Sequence, residues 1–324
     1  MEFIGGVAFC LTNMNISNFE EFDLLHDDFT FRRARENEIL QYKEKLSKYP
    51  TITHEVFGEI DYIYEYSWKA ILNGDSTIYE KCPLEKKDYK YWIVAYKKTN
   101  HALHELEIAI SLLKNSFEIS LWSIRQNKSP DKHSFIHNEY SINKFRDMIT
   151  SYYNYQTLNV NMDEIKSIPR IYAQYINNHN KYDFIEHAFK NYTILKYIDN
   201  QSDLLVLGYF SIIEMLITHP PRQNENLDSI THQIVTKLNL LEKFFERKII
   251  YSDYFDKQVK EETIWKKLYS YRSSIAHGNI INFEKDFNVL RSKEITNKFI
   301  LEIIKNLLLL SLDKPDFIND LKKC

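Results

Sequence analysis

From residue 184 onward the apolar residues of this chain return every three or four positions, and each such stretch is closed by residues that stop a helix. That spacing is the repeat of an α-helix, and it forces each stretch to find a neighbour for its apolar face. The first stretch covers 184–198 and ends at Asp199-Asn200. The second covers 203–218, with Ser202 in position to cap it and His219-Pro220-Pro221 to stop it. A third covers 227–248, a fourth 254–276, and one or two terminal helices fill 283–312 ahead of Pro315. Helices joined by such short links pack antiparallel by default, as a helical bundle.

The first part of the chain is less uniform. The apolar run 3–11 and the alternating segment 89–96 read as strands. The charged segment 32–46 reads as a helix ended near Pro50, and 62–72 is rich in aromatics. Leu103, Leu106, Ile110, Leu113 and Phe117 give 100–122 a helical period, and the polar stretch 126–138 reads as a loop. Segment 165–179, which contains Pro169, is a connector between two domains, 1–180 and 181–324. The expected fold class is therefore mainly α, an antiparallel bundle preceded by a mixed, mostly helical α+β domain.

Composition removes several functional classes. With six glycines there is no Gly-x-Gly-x-x-Gly or Gly-x4-Gly-Lys-Ser/Thr run to cradle a nucleotide. Cys10, Cys82 and Cys324 lack the spacing of a zinc site or a disulfide framework, so the sequence predicts a protein of the reducing cytoplasm without cofactor or metal. No basic region precedes a long apolar core at the N-terminus, so no signal peptide is expected. The most apolar run, 300–312, is broken by Glu302, Lys305 and Asn306 and is too short to span a bilayer. Net charge is −3, yet residues 237–298 carry 13 basic and 9 acidic side chains. Contact with a polyanion is expected at that local surface and not over the whole molecule.

The chemistry concentrates at Tyr269-Ser270-Tyr271-Arg272-Ser273-Ser274-Ile275-Ala276-His277-Gly278-Asn279. An imidazole moves protons near neutral pH, and a guanidinium grips a phosphate and neutralises developing charge. Those two groups suffice to cleave RNA without a metal. Five helical positions turn a side chain by about 140° net, so Arg272 and His277 diverge if the helix runs on. Gly278 suits the left-handed position that ends a helix, which places His277 at the last turn or just past it. There the helix terminus favours the imidazolium. Ile264, Leu268, Tyr271 and Ile275 form the apolar stripe of this helix, with Arg272 near Trp265 and Tyr269 on an adjacent face.

The Arg-x4-His-Gly pattern behind an aromatic amphipathic helix resembles the signature of HEPN domains, the helical domains of many prokaryotic defence ribonucleases, and is most similar to their ApeA-like branch. The upstream apolar helix Leu205-Val206-Leu207-Gly208-Tyr209-Phe210-Ser211-Ile212-Ile213-Glu214-Met215-Leu216 resembles that branch's second helix with its internal glutamate. The resemblance covers the C-terminal 130–140 residues, roughly the size of one small domain. Ser273 stands where many active members carry Asn, Asp or His, although the branch accepts small residues there. The resemblance implies a metal-independent endoribonuclease in antiviral defence or a toxin, with Arg272 and His277 catalytic and RNA, including tRNA, as substrate. It also leaves the first domain as a sensor or substrate selector, and an inhibitory or sensing protein as a partner. One motif per chain offers one acid–base group where transesterification moves two protons, so a homodimer with a composite site is expected, with Trp265, Tyr269 and Tyr271 supplying aromatic contact area. The alternative is a non-catalytic HEPN-like module for binding or dimerisation in a defence or toxin–antitoxin complex.

Other residues keep two readings. Glu214 either orients Arg272 or points to solvent at the bundle edge. Asn279 either fixes the tautomer of His277 or binds phosphate, or is ordinary loop chemistry. His101 and His104, near Glu105 and Glu107, have the look of metal ligands, but a solvated helix start accounts for them better. His133 and His137 lie in the polar loop. The Arg32-Arg33-x-Arg35 cluster sits among glutamates and reads as a solvated face.

Overall fold

The structure is a computed structural model and describes residues 161–221 and 229–324 without a break, residues 101–116, and elsewhere the strands named below. Among the described residues the chain is mainly helical. It divides into two units, Met1–Ser111 with Asn115–Pro169, and Leu112–Lys114 with Arg170–Cys324. The division at Pro169 precedes the 180/181 boundary read from sequence.

The first unit is built on strands. In order they are β1 (Gly6–Thr12), β2 (Met14–Asn15), β3 (Leu24–Leu25), β4 (Phe29–Arg33), β5 (Tyr66–Asn73), β6 (Ser76–Pro83), β7 (Trp92–Tyr96), β8 (Ile119–Arg125), β9 (Ser134–His137) and β10 (Leu158–Asn159). Helix α1 (His101–Ser111) lies between β7 and β8. Six strands form one sheet in the order β3-β4-β7-β1-β8-β9, every neighbouring pair antiparallel. β5 and β6 form a separate hairpin, its turn made by Gly74 at φ +62°, a conformation glycine adopts without a Cβ clash.

This corrects the expectation of a mostly helical first domain, as far as the described residues go. Runs such as Trp92-Ile93-Val94-Ala95-Tyr96 suit a pleated surface. Their partners lie far away in sequence, however: Gly6 pairs with both Tyr96 and Arg125. A local period cannot announce such pairings. The helix expected over 100–122 stops at Ser111, and the chain returns as β8. The loop expected over 126–138 contains β9. Arg32 and Arg33 end β4, while 34–46 and Arg35 lie outside the described residues.

Helix α2 (Met162–Asn178) replaces the expected connector and crosses the division between the units. Pro169 removes one backbone donor inside it. Ile165, Ile168, Ile171, Tyr172 and Tyr175 nevertheless all bury at helical spacing, and that stripe outweighs the lost bond.

The second unit continues with α3 (Asp183–Leu195), α4 (Leu204–Ile217), α5 (Ile230–Leu241), α6 (Glu261–Ala276), α7 (Lys293–Asp313) and α8 (Pro315–Lys323). Ser229 caps α5 and Ser292 caps α7, each accepting a backbone amide of the first turn. Pro315, read from sequence as a stop, opens α8 at a position where its missing N–H costs nothing. Helix α4 packs against α3, α5, α6, α7 and α8. Lys322 of α8 donates to the carbonyls of Met215 and Thr218, satisfying the C-terminal end of α4 with a cation.

Helix α7 is buried on nearly every side, including Lys305 and Asn306, two of the three polar residues that interrupt its apolar run; Glu302 is half-buried. Lys305, 5% exposed, donates to the Leu113 carbonyl at 2.7 Å. Arg247 donates to the Leu112 carbonyl at 2.8 Å, and its own backbone amide is accepted by Asn306, which is fully buried. These polar groups sit inside because each carbonyl and amide there has a partner. Among the described residues no helix is long and apolar enough to cross a membrane.

Gly208 lets α3 approach α4. A Cβ there would lie 2.3 Å from a methyl of Leu195, itself buried. Gly208→Val is expected to lower stability by about 1–3 kcal/mol through overpacking, read from the urea midpoint. An unchanged midpoint would show that the end of α3 yields freely.

Candidate functional site

Helix α6 begins with Glu261 and Glu262 in its first turn, which suits the positive end of its dipole. Its apolar stripe anchors it: Ile264, Leu268 and Tyr271 are fully buried and Trp265 is 1% exposed. The indole N–H donates to the Tyr251 hydroxyl, which donates in turn to Glu242. Trp265 and Tyr271 therefore belong to the core and cannot supply the surface aromatics expected for a dimer interface. Tyr269, half-buried, is the one of the three with surface to offer.

The helix ends in a Schellman arrangement. The amide of Asn279 donates to the Ser274 carbonyl at 2.9 Å and that of Gly278 to the Ile275 carbonyl at 3.0 Å. Gly278 has φ +69° with open space around it, so backbone conformation and not crowding demands glycine. His277 is the C-cap at φ −93°, ψ 3°, its amide donating to the Ser273 carbonyl. Its side chain is exposed and makes no hydrogen bond to a described residue. Ser273 is half-buried and Asn279 exposed. No bond from Asn279 fixes the tautomer of His277 among the described residues.

Arg272 is placed by two contacts. Its Nη2 lies 3.4 Å from Oε1 and 3.5 Å from Oε2 of Glu214, a loose ion pair with side chains 29% and 24% exposed. Its guanidinium carbon lies 5.7 Å from the centroid of the Tyr269 ring, within cation–π range. Tyr269 meets the buried ring of Phe210 edge-on, centroids 6.0 Å apart at 76°. On α4, Phe210 and Glu214 are four residues apart, and on α6, Tyr269 and Arg272 are three apart. Each pair therefore shares one helix face. The four side chains close a square across the two helices: aromatic on aromatic in one layer, cation on carboxylate in the next.

Of the two readings of Glu214, the structure has the one in which it meets Arg272. Arg272 and His277 are not joined, since no hydrogen bond links the guanidinium and imidazole of one chain. Phe210 carries no polar group to single it out in the upstream apolar helix, although its i, i+4 spacing to Glu214 is legible there. His104 is exposed and faces Glu107 at 4.0 Å, while the side chain of His101 lies outside the described residues, as does His133. Among the described residues no three or more His, Cys, Asp or Glu side chains gather as metal ligands would.

The chain matches no family model, no curated protein and no solved structure. The site has to be understood from its own geometry.

Burial pushes the carboxyl of Glu214 above its ordinary value of 4.5, and the charge of Arg272 pulls it back only in part. A carboxyl with a raised folded pKa binds more protons folded than unfolded, so its contribution to stability is present at low pH and lost as pH rises through the folded value. The stability of the wild type relative to Glu214→Gln is thus expected to fall as pH rises from the ordinary carboxyl value through the higher folded value, measured by urea midpoints at each pH. A difference that grows with pH would mean that attraction to Arg272 outweighs burial.

Proposed function

We propose that this chain is a metal-independent endoribonuclease whose second unit is an antiparallel HEPN-like bundle. What carries the reading is the end of α6. A guanidinium held half-exposed by Glu214 and Tyr269 is followed five residues later by an exposed imidazole with no hydrogen bond to a described residue. In the reaction, the 2′-hydroxyl of a ribose loses its proton to one imidazole and its oxygen attacks the adjacent phosphorus. The bond to the 5′-oxygen breaks as that oxygen takes a proton, leaving a 2′,3′-cyclic phosphate and a 5′-hydroxyl. Arg272 stabilises the charge on the phosphorane through its planar fork of donors. Ser273 lends its carbonyl to the His277 amide.

Two proton transfers ask for two acid–base groups, and each chain brings one motif. The active form is accordingly a two-fold homodimer in which both copies of Arg272 and His277 line one cleft. RNA, including tRNA, is the substrate, and the role is antiphage defence or that of a toxin in the cytoplasm, with the first unit as sensor or substrate selector and a further protein restraining or triggering it.

Cleavage of RNA by the purified chain is expected to survive EDTA and to fall on the order of 10²–10⁴-fold in His277→Ala, with the fold retained by circular dichroism. Equal activity in the variant would remove His277 from the chemistry, and a wild type that does not cut RNA would favour a non-catalytic module. For the composite site, light scattering should report a dimer. Mixed dimers of wild-type and His277→Ala chains, which hold a single His277, should cut more slowly than the wild type. A monomer that is fully active at the assay concentration would refute the shared cleft.

A further inference from the structure

Arg272 has five N–H donors, and the structure uses few of them. Nη2 alone meets Glu214, at the outer limit of hydrogen bonding. Nε is buried, and neither it nor Nη1 makes a hydrogen bond to a described residue. A guanidinium pinned at a single nitrogen turns about that contact. A phosphate gripped by two parallel donors, however, needs the plane of the fork to be fixed beforehand. The second contact that fixes it is the Tyr269 ring.

The ring is itself held. Phe210 is fully buried on α4, the helix with neighbours on five sides, and it meets Tyr269 edge-on. Glu214, one turn further along α4, holds the other end of the guanidinium. Both restraints on Arg272 therefore originate in the same rigid helix. The Tyr269 hydroxyl takes no part, since it makes no hydrogen bond to a described residue. The ring, and not the phenol, is the functional feature.

We propose that Tyr269 is a positioning residue for substrate phosphate: its ring, braced by Phe210, sets the plane of the Arg272 guanidinium so that the donors left free by Glu214 engage a phosphodiester. This rests on the ribonuclease reading, and it adds a residue that acts through Arg272 without touching the reacting atoms. It also assigns the Phe210–Glu214 spacing a purpose, because one helix then supplies both the brace and the counter-charge.

The test uses the full chain and two probes, a defined single-stranded RNA for KM and kcat and a labelled 2′-deoxy oligonucleotide, which cannot undergo the reaction, for Kd. Tyr269→Leu is expected to raise KM and Kd by roughly threefold to tenfold, the equivalent of a partly desolvated cation–π contact, with a smaller change in kcat. Tyr269→Phe keeps the ring and should stay within about twofold of the wild type by the same reasoning. In an Arg272→Ala background Tyr269→Leu should add nothing, because a residue acting through another has no effect once that other is gone. Tyr269→Met replaces the leucine variant if that one does not fold. Wild-type KM and Kd in Tyr269→Leu, or full additivity with Arg272→Ala, would overturn the proposal while leaving the ribonuclease reading intact. A wild type that binds the oligonucleotide without cutting RNA would end the ribonuclease reading, and Kd alone would then decide the role of Tyr269. A wild type that neither binds nor cuts overturns both.

Discussion

A helix enclosed by neighbours has nowhere to send a carboxylate, and α4 is such a helix. Eight of its residues are buried, five helices surround it, and its last carbonyls are covered by Lys322. Glu214 sits one turn from its end. A charge there is tolerated only beside an opposite charge or close enough to solvent to stay hydrated. It takes both courses, remaining about a quarter exposed and meeting Arg272. The position of Arg272 follows from that constraint, and with it the layout of the end of α6. The ion pair is loose and adds little to stability. What it does is choose where the guanidinium stands.

The same unit solves the problem differently in its interior. Lys305 and Asn306 lie in the middle of α7, where the surroundings are leucine and isoleucine. Among the described residues their partners include backbone groups: the Leu113 carbonyl for Lys305, and the Arg247 amide for Asn306. Leu112–Lys114, distant in sequence, belongs to this unit through those bonds and through Arg247. The helical unit is thus not one continuous stretch of chain. It borrows a turn that supplies hydrogen-bond acceptors to the buried Lys305 and the half-buried Arg247.

The candidate site is economical in the residues it leaves available. Trp265 and Tyr271, prominent in the sequence beside Arg272, are consumed by the core. Tyr269 lies between core and surface, with one edge against Phe210 and the guanidinium over its face. His277 stands past the last helical residue, in a turn whose geometry is set by backbone bonds and one left-handed glycine. Its exposure contrasts with the two contacts on Arg272, an arrangement in keeping with the proposed roles of a base and a charge-holding cation.

The helical part was legible because its determinants are local. The three-to-four spacing of Ile264, Leu268 and Tyr271 and the glycine at 278 act within a turn or two of themselves, and each is found working in the structure, whereas Ser202, read as the cap of α4, gives way to Asp203 at that position. Sequence also placed Arg272 and His277 at a helix end, since Gly278 marks it. It could not show that Pro169 sits inside a helix, because the stripe that overrides it gains its energy from burial against other segments. Nor could it show the sheet, whose central strand pairs residues more than a hundred positions apart. It named Tyr269 and Glu214 without joining them, because the square they form with Phe210 and Arg272 exists only where α4 and α6 meet. Local period and capping chemistry decide which segments coil and where they stop. Which side chains face one another across two helices is decided by packing, where burial of the apolar faces sets the register and the polar groups take whatever partners that register provides.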